Sequence, residues 1–107
     1  MTFDGGVVKI ASAATIANGV KVVTTAGTDV ALVAASTPCI RATIQAQTDN
    51  TSDIAVGGTG VDATIATGTG IILHPGDTYE FGVTDLVNVY IDSLVNGEGV
   101  RFCYFVL

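Results

Sequence analysis

Ile40-Arg41-Ala42-Thr43-Ile44-Gln45-Ala46-Gln47 sets Ile, Ala, Ile and Ala at every second position, with Arg, Thr, Gln and Gln between them. Successive side chains of a strand point to opposite faces, so this stretch reads as a strand with one buried and one wet face. Such half-buried strands belong to antiparallel sheets. Pro38 stands just before it, where a missing backbone donor matters least.

Outward from that strand the same language continues. Asp49-Asn50-Thr51-Ser52-Asp53 is a polar turn. Ile54-Ala55-Val56 is a short strand stopped by Gly57-Gly58, and a glycine-rich connection runs on to Gly70. Ile71-Ile72-Leu73 leads into His74-Pro75-Gly76-Asp77. Pro at the second place and Gly at the third predict a type II turn, because only Gly readily supplies the positive φ needed there. Tyr79, Phe81 and Val83 then alternate with Thr78, Glu80 and Gly82. Asp85-Leu86 is a short break, Val89-Tyr90-Ile91-Asp92 a strand, and Asn96-Gly97-Glu98-Gly99 a hairpin loop before the final strand, Val100 to Val106. On the N-terminal side, Val30 to Val33 and Val20 to Thr24 are strands around a turn at Gly27. Ile10 to Asn18 is β-branched and Ala-rich and is expected to be extended or irregular. About eight short strands at regular spacing predict an all-β, single-domain β-sandwich, jelly-roll-like. Residues 1–19 are read as an N-terminal arm or first strand, and residues 20–107 as the sandwich. The immunoglobulin-type sandwich is the rival, but with no Trp the Cys-Trp-Cys signature is missing.

The last strand stands apart. Val100, Phe102, Tyr104 and Val106 line one face; Cys103, Phe105 and Leu107 line the other. A strand apolar on both faces is expected to be covered on both. The cover is a loop, the N-terminal arm or a neighbouring subunit, and on the last of these the row Cys103, Phe105 and Leu107 is the candidate oligomer interface.

Bulk composition narrows the function. Charged residues are 13% of the 107, against about 25% in typical domains. Small residues fill exposed positions instead, which reads as a plain β-rich surface of small residues or, more sharply, as a surface covered in part by copies of the chain or by a partner. The net charge of −6 and the scattered Lys9, Lys21, Arg41 and Arg101 exclude nucleic acid and anionic membranes as expected partners. Met1-Thr2-Phe3-Asp4 lacks the basic start of a signal peptide, so synthesis in a cytoplasm is expected. Two cysteines, Cys39 and Cys103, make no disulfide framework and read as buried small hydrophobes.

No catalytic, cofactor-binding or metal residues are assigned. The only histidine, His74, precedes a Pro-Gly turn, and no serine sits in a strand-turn-helix elbow. One His and two distant Cys fall short of the roughly four ligands zinc takes. Asp49, Asn50 and Asp53 lack a calcium-loop spacing and read as solvated turn residues. Gly57-Gly58-Thr59-Gly60 has neither the following helix nor the Lys of a phosphate loop.

The phrasing of Thr43-Ile44-Gln45-Ala46, Val56 to Ala63, Leu73-His74-Pro75-Gly76-Asp77, Asp85-Leu86, Val89 to Asp92 and Val95 to Val100 is similar to that of small virion proteins of tailed bacteriophages, many of them head decoration, or cement, proteins. The likeness covers about residues 20 to 106. It implies a jelly-roll-like homotrimer seated on the capsid surface of the virion, contacting the major capsid protein and clamping neighbouring capsomers, with no cofactor and no enzymatic activity. A carbohydrate- or receptor-binding β-sandwich displayed on a virion or fibre is the alternative. A sugar site would want exposed aromatics, and most of the seven Phe and Tyr sit on faces that read as core.

Overall fold

The computed structural model describes residues 15–106. Eight strands follow one another: β1 (Thr15–Val22), β2 (Val30–Ala31), β3 (Arg41–Ala46), β4 (Ile54–Gly57), β5 (Ile71–Leu73), β6 (Thr78–Phe81), β7 (Tyr90–Ser93) and β8 (Gly99–Val106), with one 3-10 turn at Leu86–Asn88. They form two four-stranded sheets, β1-β8-β3-β6 (sheet 1) and β2-β7-β4-β5 (sheet 2), and all pairings are antiparallel. First pairs with last, second with seventh, third with sixth and fourth with fifth. That order is a long hairpin rolled up on itself, the jelly roll. It is not an immunoglobulin order.

The inner faces come from the alternation already visible in the chain. Ala42, Ile44 and Ala46 of β3, Val100 and Phe102 of β8, Ile54 and Val56 of β4, Leu73 of β5 and Ile91 of β7 close one core with Leu32 and Leu86. Gly19 of β1 faces the Phe102 ring, and a Cβ there would lie 2.6 Å from the ring. The expected turn is present: Asp77 N–H donates to the His74 carbonyl at 2.8 Å and Gly76 has φ +89°.

Three details differ from the sequence reading. β1 starts at Thr15 and runs across the 19/20 boundary, so residues 15–19 belong to sheet 1; residues 1–14 lie outside the described set. β2 is two residues long, and Leu32 is held instead by a bond from its N–H to the Val89 carbonyl at 2.8 Å. The break at Asp85 is a 3-10 turn whose Val87 N–H is met by the Asp85 carboxylate at 3.0 Å; the same oxygen also accepts from Thr37 N–H at 2.7 Å.

Candidate functional site

The two outer faces are treated unequally. Behind sheet 2, the glycine-rich connection folds back over the sheet, burying Val61 and Ala63 against Ala55 with Tyr90 packed alongside. Gly70 permits this close approach: its φ is +96°, and a Cβ would lie 2.4 Å from Val61 and 2.7 Å from the Val56 carbonyl. The cover is tied down by Asp92 of β7, only 1% exposed. One carboxylate oxygen accepts from Gly27 N–H at 3.0 Å and the other from Ala63 N–H at 2.9 Å. A buried carboxylate costs dearly unless bonded; here it joins two loops to the sheet.

Behind sheet 1, no described segment lies over the strands. The register sets Ile16, Asn18, Val20 and Val22 of β1 beside Phe105, Cys103, Arg101 and Gly99 of β8 on the outward side. Arg41, Thr43 and Gln45 of β3 and Thr78 and Glu80 of β6 complete the face. Ile16 is 67% exposed, Val20 61% and Val22 44%. A shallow groove runs across it, with Val20, Cys103, Gln45, Gln47 and Arg101 among its lining residues.

Of the expected interface residues, Cys103 and Phe105 lie on this face and are half-buried; Leu107 lies outside the described residues. Phe105 is partly roofed by Arg41, whose guanidinium carbon sits 5.0 Å from the ring centre while its Nη1 pairs with Glu80 at 3.1 Å. The larger exposed apolar surface comes from β1. Its signal was the period-two spacing of Ile16, Val20 and Val22, interrupted by Asn18.

Charge is segregated in the same sense. Lys21, Arg41 and Arg101, the only Lys and Arg among the described residues, all belong to sheet 1, whose strands carry a single acid, Glu80. The loops after β3, β5 and β7 come together at one end of the sandwich, beside Val100 of β8 and Thr78 of β6. They carry Asp49, Asp53, Asp77 and Glu98, with no Lys or Arg. At the same end Leu94 and Val95 stand 36% and 38% exposed.

His74 and Cys39 have partners within the fold. His74 sits at the turn, its Nδ1 2.7 Å from Asp53 Oδ1; that hydrogen bond first, and the charge of Asp53 next, raise its pKa. Cys39 is buried, its thiol donating to the Val83 carbonyl at 3.2 Å; burial, then the charge of Asp85, push its pKa up. Cys39 and Cys103 are not joined in a disulfide. Among the described residues no group of three or more His, Cys, Asp or Glu is placed to hold a metal ion, and no helix is long and apolar enough to cross a membrane. Comparison with protein-family models, curated proteins and solved structures gives no match.

Proposed function

We propose that this chain is a structural virion protein: a capsid decoration, or cement, protein that binds the head surface of a tailed bacteriophage as a homotrimer, contacts the major capsid protein and stabilises the shell by clamping neighbouring capsomers. The observation that carries the reading is the open outer face of sheet 1, with Ile16, Val20 and Val22 exposed beside Cys103 and Phe105. A jelly roll whose described residues cover one sheet with a loop and leave the aliphatic side chains of β1 exposed on the other fits completion by another protein. The wording shared with small virion proteins names the partner class. Nothing in the proposed role needs chemistry: the sole histidine is engaged by Asp53. The second reading, a saccharide- or receptor-binding sandwich, draws on the amides and hydroxyls of Asn18, Thr43, Gln45 and Thr78 in the groove. Phe102, the one aromatic lining that groove among the described residues, is 7% exposed, so it offers a sugar no open ring to stack on.

The test is to mix the purified protein with expanded, undecorated heads built from the cognate major capsid protein and sediment them. Saturable binding at a fixed ratio to capsid subunits, with raised resistance of the heads to heat, is the expected result. Protein left wholly in the supernatant at micromolar concentration overturns the reading.

A further inference from the structure

We infer that copies of this chain join head to tail, the open face of sheet 1 of one copy receiving the acidic loop end of the next, with the Leu94-Val95 tip seated in the groove over Val20 and Cys103. The inference rests on the oligomeric part of the reading above and is independent of the capsid part.

Three observations lead to it. The first is charge. Sheet 1 carries all the described Lys and Arg and one acid, which is paired with Arg41 at 3.1 Å; Arg101 faces outward with no acid paired to it among the described residues. Among the described residues Arg101 lies beside Val20 and Gln45 and donates from Nε to the neutral Gln47 Oε1 at 3.4 Å. The loop end that presents Leu94 and Val95 also carries Asp49, Asp77 and Glu98. In a chain of net charge −6, two copies repel unless a cationic surface meets an acidic one. Face against face would set Arg101 of both copies in one contact; end against end would set acid on acid. Face against end matches sign to sign.

The second is the apolar content. Both patches hold exposed aliphatic side chains with polar rims, Val20 and Val22 on the face and Leu94 and Val95 on the tip. The bond from Ser93 Oγ to the Val95 carbonyl, at 2.7 Å, fixes the tip in the turned-out shape that presents them.

The third is area. Four strands spaced about 4.8 Å apart, each showing about six residues at roughly 3.3 Å, give a face of about 400 Å². A stable interface takes about 800 Å² from each partner. A two-fold dimer through this face would bury it only once per copy. A closed head-to-tail ring uses both the face and the end of each copy, so each chain is held by two contacts of that size instead of one. Patches at right angles, as a sheet face and a sandwich end are, can close a ring of three or four copies.

The experiment exploits the polarity of such a contact. Val20→Glu spoils the face and leaves the end intact; Leu94→Glu does the reverse. Both positions are exposed, and Arg101→Glu serves as a second face variant should Val20→Glu lose its far-UV circular dichroism. By light scattering at micromolar concentration, the wild type is expected to be a closed oligomer and each variant a single chain of 10.8 kDa. An equimolar mixture of the two variants is expected to give a heterodimer of about twice that mass, one good face on one good end. Variants that dissociate but stay monomeric when mixed overturn the head-to-tail contact in favour of a two-fold one. A wild type of single-chain mass also overturns it, whether residues 1–14 or the capsid protein takes the face. Sedimentation with heads is scored separately, so a monomer that still binds them sinks this inference and leaves the virion reading standing.

Discussion

Asp92 is the residue on which the asymmetry of the sandwich turns. A strand residue facing outward is normally wet, and in the sequence Asp92 reads as one more acid near a strand end. In the fold it is buried, because the connection from β4 to β5 lies over it and offers Ala63 N–H from above while Gly27 N–H comes from the side. That partnership links positions 29 and 65 residues apart, which no local pattern encodes. The expected outcome for Asp92→Asn follows from donor and acceptor count. One carboxylate oxygen becomes an NH2 facing a backbone N–H, so one bond is lost and two donors are left opposed. The cost is about 1–3 kcal/mol. In a domain this size each kcal/mol shifts Tm by about 4–8 °C, so the melting temperature should fall by at least several degrees. An unchanged Tm would show that water satisfies the freed N–H and that the cover is not tied through Asp92. By contrast, His74 was legible as a turn residue from Pro75-Gly76 alone, since the turn is a local matter of φ; only its ion pair with Asp53, across two loops, was not.

At the scale of elements, β3 and β8 were readable because each states its two faces in its own sequence. β3 alternates cleanly, and β8 is apolar on both sides. β1 was half read. Its start at Thr15 escaped because Thr15-Ile16-Ala17-Asn18-Gly19 offers no strong alternation on the inner side: the register sets Ala17 and Gly19, both small, over Tyr104 and Phe102. The small residues are explained by the rings they face, which is tertiary information. Pairing of β1 with β8 also depends on Gly99. A Cβ at Gly99 would lie 2.1 Å from the Lys21 carbonyl oxygen and 2.8 Å from the Val22 Cα, both backbone atoms that cannot swing away. Asn50 holds the other side of the same residue, donating from Nδ2 to the Gly99 carbonyl at 2.9 Å. Gly99→Ala must therefore push β1 off or break the Asn50 bond, a cost of about 1–3 kcal/mol or more. Gly58→Ala is the matched control: its Cβ meets nothing within 4 Å, and the change should stay within about 0.5 kcal/mol. Urea midpoints of the two variants decide the point, and equal midpoints would mean that β1 contributes little to the folding unit.

At the scale of the whole molecule, the jelly roll was predictable from strand number and spacing, whereas the inequality of its two outer faces was not, since it depends on where a glycine-rich loop comes to rest. The charge pattern behaves likewise: Lys21, Arg41 and Arg101, scattered in the sequence, come to one sheet in space. The acids have a further consequence for stability against pH. The carboxyl of Asp62 is held below its ordinary pKa by bonds from the Thr64 side chain and N–H, and that of Asp85 by bonds from the Ser36 hydroxyl and the Thr37 and Val87 N–H groups. For Glu98, partial desolvation pushes upward, but the Thr51 hydroxyl with the Thr51 and Ser52 N–H groups outweighs it and the net shift is downward. His74 is shifted the other way, upward, by Asp53 and to a lesser degree Asp77. For the three lowered carboxyls the native state binds protons less readily than the unfolded chain. Their contribution is complete above the ordinary carboxylate range and is lost as pH falls through the lowered values. For the raised histidine the contribution is complete below about 6.5, the ordinary value, and is lost as pH rises through the raised one. The protein should thus be most stable in mildly acidic solution, lose stability steeply in strong acid, and decline gently above neutrality. His74 is exposed and the three carboxyls are only half-buried, so each effect is small and should shrink in high salt. Melting temperatures across pH 2–9 test this with two variants. Asp53→Asn should flatten the decline above neutrality and leave the acid limb in place. Asp85→Asn should lower the plateau and make the acid limb shallower, because one of the groups whose protonation drives it is gone. An alkaline decline that survives Asp53→Asn would place its origin in some group other than His74.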